Sequence, residues 1–153
     1  TFYIYNIIMA YTYGHISRLL YPMIIGFIVS SQCKMGKDSG KSIKFRPPGY
    51  IFGIVWPILY ILLGLSWINS IKNTKNPWID KMYLGLSSLL ALWIVVYSCM
   101  KDKKNAIYVL LLSMVIIGCL MILIPQKSKL MLIPLTVWLS FAILMNTTEV
   151  QNM

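Results

Sequence analysis

The sequence predicts an all-α integral membrane protein, a bundle of five transmembrane helices. Of its 153 residues, 58% are hydrophobic and only 12% are charged, whereas about a quarter of the residues in a soluble domain are charged. The charged residues also fall into short clusters, and the apolar stretches between them are long enough for transmembrane helices of about 20 residues. Five such helices with short connections use most of the chain, so we expect a single domain.

Four of the five spans follow from uncharged stretches of the chain. Hydrocarbon cannot hydrogen-bond a peptide group, so an apolar segment within it is most stable as a helix. The first span has a weaker signal, because the gap from Arg18 to Lys34 is short. We therefore expect it to begin near Tyr13, with the Arg18 side chain reaching towards the headgroups. The predicted spans are 15–33, 48–70, 82–100, 105–124 and 130–147.

The remaining segments are short. Residues 1–14 are apolar and rich in tyrosine, which is typical of an interfacial lead-in. Residues 15–148 form the predicted five-helix membrane domain, and residues 149–153 form a short polar tail. The longest connection is the first loop, 34–46, which contains Gly, Ser and five basic residues. Polar turns with Pro77 and Pro125 separate the later spans.

The net charge of +10 indicates a lipid bilayer partner rather than nucleic acid. Basic residues occur in every loop instead of forming one face with stacking aromatic residues, and anionic headgroups account for that distribution. Eight basic residues lie on the side of the first loop and the 101–104 turn, and six lie on the other. By the positive-inside rule, this count places the first loop and the C-terminus in the cytosol.

Catalytic and metal-binding chemistry has few candidate residues in this sequence. The single histidine, His15, has no carboxylate near it in the sequence, and a zinc site needs three or four ligands. The three cysteines lack metal or redox spacing, so we expect no disulfide framework, no metal and no resident cofactor. All four acidic residues lie in predicted loops or in the tail, which excludes a proton relay through the membrane. These acidic residues are Asp38, Asp80, Asp102 and Glu149. We therefore assign no catalytic residues.

Aromatic and small residues share one face on two of the predicted helices. On the second span these are Gly53, Trp56, Pro57, Tyr60 and Gly64; on the last they are Pro134, Trp138, Phe141, Ala142 and Met145, with Asn146 at the edge. One interpretation is helix packing, in which small residues allow close approach. The other is a pocket, in which aromatic faces receive a planar apolar ligand. Periodicity alone favours packing.

Two motifs resemble signatures of the TspO/MBR family of tryptophan-rich membrane receptors. The first is a Pro-Pro pair followed by an aromatic residue, Trp, Leu-Tyr and Gly at fixed spacing, and it spans 47–64. The second, in the last span, combines Pro134, Trp138, Phe141, Ala142 and Asn146. A weaker match in the third span comprises Leu92, Trp93 and Tyr97. The similarity runs from about Ile25 to Asn146.

The sequence departs from the family pattern at several positions. Leu135 stands where the family usually has Tyr, Leu90 where it has Asn, and Phe45 where it has Trp. Each departure removes a polar group from the implied pocket, so ligand selectivity is expected to differ. The Tyr and Arg segment that is linked to cholesterol in animal mitochondrial members has no counterpart in 147–150, which makes sterol binding less favoured.

The resemblance implies a five-helix bundle, often a homodimer, that binds porphyrins, sterols or benzodiazepine-site drugs in a cavity under the first loop. Asn146 would cap the polar end of that cavity. With the resemblance counted, a pocket is favoured over packing for Trp56, Trp138 and Ala142, and the two interpretations are balanced for Phe52, Tyr60 and Trp93. The implied ligand-binding residues are Pro48, Tyr50, Phe52, Trp56, Tyr60, Trp93, Trp138, Ala142, Met145 and Asn146.

Three functions are consistent with these residues. The first is a receptor or carrier for a planar apolar ligand such as a porphyrin, which requires no enzyme. The second is a membrane enzyme that degrades porphyrin through tryptophan radical or photochemistry. The third is a scaffold that contacts other membrane proteins and binds no ligand.

Overall fold

A computed structural model describes residues 2–33, 49–74 and 76–151, and five long helices account for most of these residues. Within these ranges there is no β-strand. A π-helical turn, Val95–Cys99, directly follows the third helix. The helices are α1 (Phe2–Gln32), α2 (Gly49–Asn73), α3 (Pro77–Ile94), α4 (Lys103–Leu123) and α5 (Gln126–Gln151). The all-α class predicted from the sequence is confirmed.

The helices pack side by side in a closed ring. Contacts connect α1 to α2, α2 to α5, α5 to α4, α4 to α3 and α3 back to α1, and α2 also touches α3 across the ring. Large side chains such as Leu63, Tyr83 and Leu110 fill the centre and are fully buried. The outer faces are apolar as well, with Val115 and Ile122 largely exposed. A surface of this kind is stable against lipid tails and not against water.

The membrane assignment also follows from helix length. Within the described ranges, the four helical segments Gly53–Asn73, Pro77–Cys99, Lys103–Leu123 and Gln126–Gln151 are long and apolar enough to cross a membrane. These segments correspond to the last four predicted spans, with ends that differ by a few residues. The chain is therefore an integral membrane protein built as a helical bundle.

The first helix differs from its prediction. Since α1 begins at Phe2, Arg18 lies about four turns into the helix and not at its start. Its Nε donates to Asp80 Oδ1 in the first turn of α3 at 2.9 Å, and the same oxygen accepts from Trp67 Nε1 at 2.8 Å. Neighbouring helices thus satisfy the charge that was expected to reach the headgroups. The interfacial position of residues 1–14 stays a prediction.

Two glycines allow α1 and α2 to approach each other closely. A Cβ atom added to Gly64 would lie 2.5 Å from the carbonyl oxygen of Leu19 and 2.9 Å from its Cα. On the opposite helix, a Cβ at Gly26 would lie 2.6 Å from the ring of Tyr60. Only a residue without a side chain fits at either contact, so Gly64 serves helix packing.

A buried polar seam connects α2, α3 and α5. The Tyr83 hydroxyl hydrogen-bonds with Ser66 Oγ at 2.7 Å and with Ser70 Oγ at 2.9 Å, and all three residues are inaccessible. Ser66 also donates to the carbonyl of Ser128 on α5 at 3.0 Å. The Tyr83 ring stacks on Trp67, with centroids 5.9 Å apart. Each of these hydroxyls has a partner, as an apolar environment requires.

Local capping sets where two of the helices begin. The side chain of Asn76 accepts a hydrogen bond from the Trp78 amide at 3.0 Å, and Pro77 is the first residue of α3. Asp102 likewise accepts from the Asn105 amide at 3.1 Å at the start of α4. Both residues are typical N-caps, and proline is favoured at the first helical position.

Two predictions, one about Glu149 and one about the cysteines, were wrong. Glu149 was assigned to a polar tail, but α5 continues to Gln151 and Glu149 is only 4% exposed. A disulfide framework was not expected, yet Cys33 and Cys99 form a disulfide between residues 66 positions apart in sequence. Such a separation gives no spacing signal. The third cysteine, Cys119, is a free thiol on the exposed side of α4.

Candidate functional site

A cleft of about 250 Å³ lies where α1, α2 and α3 meet. It is near the end of the bundle at which α1 finishes and α2 begins. Phe27 and Gly53 at its edge are exposed, so the cleft opens to the surface of the bundle. Its lining is mostly apolar. The lining residues are Phe27, Ser30, Cys33, Gly53, Trp56, Pro57, Tyr60, Trp93 and Ile94.

Aromatic rings form one wall of this cleft. Trp56 and Trp93 stack with centroids 6.0 Å apart and ring planes 28° from parallel. Tyr60 continues the wall at 5.6 Å from Trp56, and Trp138 of α5 meets Trp56 edge-on at 6.3 Å. Stacked and edge-on contacts of this kind hold each ring in a defined orientation. The wall therefore presents flat faces whose direction is fixed by packing.

Three of the ten residues predicted to bind a ligand line the cleft. These are Trp56, Tyr60 and Trp93, which come from α2 and α3. Trp138 belongs to the same aromatic group through its edge contact with Trp56, but it is not among the described lining residues. The helical periodicity and the family resemblance thus identified the aromatic wall.

The other predicted residues of α5 lie behind this wall. Ala142 is buried in the bundle, Met145 is half-buried, and neither is among the lining residues. Asn146 is 2% exposed and has partners for both side-chain atoms: Oδ1 accepts from Trp93 Nε1 at 3.2 Å, and Nδ2 donates to the Lys103 carbonyl at 2.8 Å. Asn146 therefore supports Trp93, and its role as the polar cap of a pocket stays a prediction.

Three of the predicted ligand-binding residues come before Gly53 in the chain. Pro48 lies outside the described residues. Tyr50 and Phe52 belong to the first turn of α2, and their side chains are outside the described set. Their contribution to binding stays a prediction.

Sequence reasoning missed the α1 side of the cleft. Phe27, Ser30 and Cys33 follow one another at intervals of three residues, which places them on one face of the helix. This spacing was the available signal, but Phe27 and Ser30 carry no distinctive chemistry, and Cys33 was considered only as a metal or disulfide candidate. Ile94 was missed as well, whereas Gly53 and Pro57 were recognised on the aromatic face without being assigned to the site.

A closed set of polar contacts lies next to Trp93, at the end of the bundle. Glu149 on α5 forms an ion pair with the Lys103 ammonium and accepts from the Tyr97 hydroxyl, at 2.5 Å, on its other oxygen. Tyr97 in turn packs its ring against Trp93, with centroids 5.3 Å apart. We call Trp93, Tyr97, Lys103, Asn146 and Glu149 the polar ring. Glu149 is buried, Lys103 is partly buried, and the two are paired, as a low dielectric demands.

The arrangement is suited to binding by stacking. Among the described residues of the lining there is no carboxylate, imidazole or amine, and Cys33 is held in the disulfide. The side chains instead offer indole and phenol faces, the Ser30 hydroxyl and the space above Gly53. A flat apolar molecule is what such a lining receives most favourably.

Comparison with known proteins agrees with this architecture. The model of the TspO/MBR family matches residues 18–150, which include α2, α3, the part of α1 that lines the cleft, and the polar ring. A tryptophan-rich protein TspO from Archaeoglobus fulgidus is 26% identical over 108 residues, which cover 67% of this chain and 69% of that protein. The chain therefore belongs to the TspO/MBR family.

Proposed function

We propose that the protein is a membrane receptor or carrier that binds a planar apolar ligand, such as a porphyrin, in the cleft between α1, α2 and α3. The observation that carries the proposal is the stacked pair of Trp56 and Trp93, which forms one wall of an otherwise apolar cleft. An aromatic ligand inserted there would extend an existing stack. Family membership supports a sensory or binding role in the membrane.

The size of the cleft limits how the ligand enters. Its volume of about 250 Å³ is below the roughly 300–1,000 Å³ of pockets that enclose a drug-sized molecule. A porphyrin would therefore insert one edge against the aromatic wall, with the remainder outside the described cleft. The open side at Phe27 and Gly53 leaves room for this pose.

A cleft-filling variant tests the proposal. A Cβ atom added at Gly53 meets nothing within 4 Å, so the side chain of Gly53→Phe can be placed in the cleft without disturbing the helix. Gly118 on α4 also has open space around it and lies outside the cleft, which makes Gly118→Phe the matched control. We would titrate the detergent-solubilised protein with protoporphyrin and follow quenching of tryptophan fluorescence.

Saturable quenching in the wild type and in Gly118→Phe, with at least tenfold weaker affinity in Gly53→Phe, would support a ligand in the cleft. Equal affinity in both variants would exclude the cleft as the site. Absence of saturable binding in all three proteins would favour a scaffold. Loss of bound porphyrin absorbance under illumination, absent in Trp56→Phe, would instead indicate the porphyrin-degrading enzyme.

A further inference from the structure

The polar ring connects one face of the ligand cleft to the charged end of the bundle. Trp93 lines the cleft with its ring, while its indole nitrogen donates to Asn146 on the far side. Asn146 donates to the backbone carbonyl of Lys103, and the ammonium of the same lysine pairs with Glu149. Tyr97 closes the ring, because it donates to Glu149 and packs against Trp93.

Because Glu149 and Lys103 pair largely away from water, removing either charge should disturb the contacts of the polar ring. Glu149 is 4% exposed and its side chain 5% exposed, while the Lys103 side chain is 24% exposed. Each carboxylate oxygen has its own donor, the lysine on Oε1 and the tyrosine on Oε2. Loss of the Lys103 ammonium or of the Glu149 carboxylate would remove a largely buried ion pair, and the neighbours would have to rearrange.

We propose that Glu149 and Lys103 are positioning residues that fix the plane of Trp93 in the cleft and so set the affinity for a planar ligand. Neither residue touches the cleft itself. Glu149 acts through Tyr97, whose ring packs against Trp93. Lys103 acts through its ion pair with Glu149 and through its backbone carbonyl, which accepts from the Asn146 amide beside the indole nitrogen. The proposal rests on ligand binding in the cleft for its effect on affinity, but not for its effect on Trp93.

The opposite end of the bundle offers a matched control. There Asp80 accepts hydrogen bonds from Arg18 and from the indole of Trp67, so a carboxylate also orders a tryptophan. That tryptophan is buried against Tyr83 and does not line the cleft. Asp80→Asn therefore removes an ion pair at the other end of the bundle, where the Asp80 side chain is 45% exposed, without touching the support of Trp93.

The experiment compares Glu149→Gln and Lys103→Met with Lys103→Arg, which keeps the charge, and with Asp80→Asn. For each protein we would measure the affinity for protoporphyrin and the emission of Trp93, taken as the difference from the same protein carrying Trp93→Phe. Glu149→Gln and Lys103→Met should shift the Trp93 emission and weaken binding roughly three- to tenfold. Lys103→Arg and Asp80→Asn should bind as the wild type does.

Unchanged Trp93 emission in both Glu149→Gln and Lys103→Met would overturn the positioning role. So would an equal loss of affinity in Asp80→Asn, since that would indicate general destabilisation. If the wild type itself bound no protoporphyrin, the proposed function would fail, while the emission of Trp93 would still test the positioning role alone.

The disulfide independently indicates how the bundle is oriented in the membrane. Cys33 directly follows α1, and Cys99 ends the π-helical turn after α3, with the two Cα atoms 5.0 Å apart. Both lie at the end of the bundle where α1 finishes and α4 begins. The eight-to-six count of basic residues predicted that this end faces the cytosol.

We infer the reverse orientation, in which the end carrying Cys33 and Cys99 faces an oxidising compartment. Disulfides persist outside the cytosol and are rare within it, because glutathione and thioredoxin keep cytosolic thiols reduced. A margin of two basic residues is a weaker signal, since the positive-inside rule depends on a clear asymmetry between loops.

Labelling of vesicles with known orientation tests this inference. In a Cys119→Ser background, which lacks the free thiol of α4, a membrane-impermeant reductant followed by an impermeant maleimide should add two labels from the extracytoplasmic face, and none when the reductant is omitted. The double variant Cys33→Ser, Cys99→Ser should remain unlabelled under both conditions. Labelling without a reductant, or only from the cytoplasmic face, would overturn the inference.

Discussion

Gly64→Ala should destabilise the bundle by separating α1 from α2. The added methyl carbon would lie 2.5 Å from the Leu19 carbonyl oxygen and 2.9 Å from its Cα, both backbone atoms. Ordinary contact requires about 1 Å more, so the two helices must move apart along their interface. Overpacking of this kind costs about 1–3 kcal/mol, against which alanine gains up to about 1 kcal/mol in helix propensity. With the full gain subtracted, the net loss relative to the wild type is up to about 2 kcal/mol, and the difference from a glycine-to-alanine change without overpacking is about 1–3 kcal/mol.

The assay is the free energy of unfolding in mixed detergent, followed by circular dichroism. Gly118→Ala is the control, because a Cβ there meets nothing within 4 Å and only the gain in helix propensity remains. Gly64→Ala should unfold at a lower denaturant concentration than the wild type, and Gly118→Ala at an equal or higher one. Equal stability of the two variants would refute the close approach of α1 and α2.

Two further variants probe the interior and the cleft. Tyr83→Phe removes the hydroxyl shared by Ser66 and Ser70, so we expect a loss of about 1–3 kcal/mol in unfolding free energy, with wild-type stability as the contradicting result. Trp56→Phe shortens the stack on Trp93 and should weaken protoporphyrin binding by roughly two- to tenfold, which corresponds to about 0.5–1.5 kcal/mol. Unchanged affinity in a titration would mean that the ligand does not stack on Trp56.

The sequence predicted the fold well where charge alone marks the helices. Uncharged apolar stretches located α2 to α5 to within a few residues, because the membrane requires such stretches. The start of α1 was missed because residues 1–14 were interpreted as an interfacial lead-in, and the position of Arg18 well inside the helix was missed with it. Its partner, Asp80, lies 62 residues away in sequence, and that pairing exists only in the folded bundle.

Only part of the candidate site could be predicted, because some of its residues come together only in the folded bundle. Trp56, Tyr60 and Trp93 were identified because periodicity and the family motifs mark them. Ordinary residues of α1 such as Phe27 complete the cleft through tertiary packing, which no local pattern encodes. Glu149 was misplaced because a charge near the end of an apolar stretch normally indicates solvent, whereas here Lys103 neutralises it.

Whether a ligand occupies the cleft can be tested by the protection of a cysteine placed there. In a Cys119→Ser background, Gly53→Cys places a thiol in the open cleft, and Gly118→Cys places one on the outer side of α4. We would measure the rate of maleimide modification with and without protoporphyrin. We expect the ligand to slow modification at Gly53→Cys several-fold and to leave the rate at Gly118→Cys unchanged. Equal rates at Gly53→Cys with and without saturating ligand would contradict a ligand site between α1, α2 and α3.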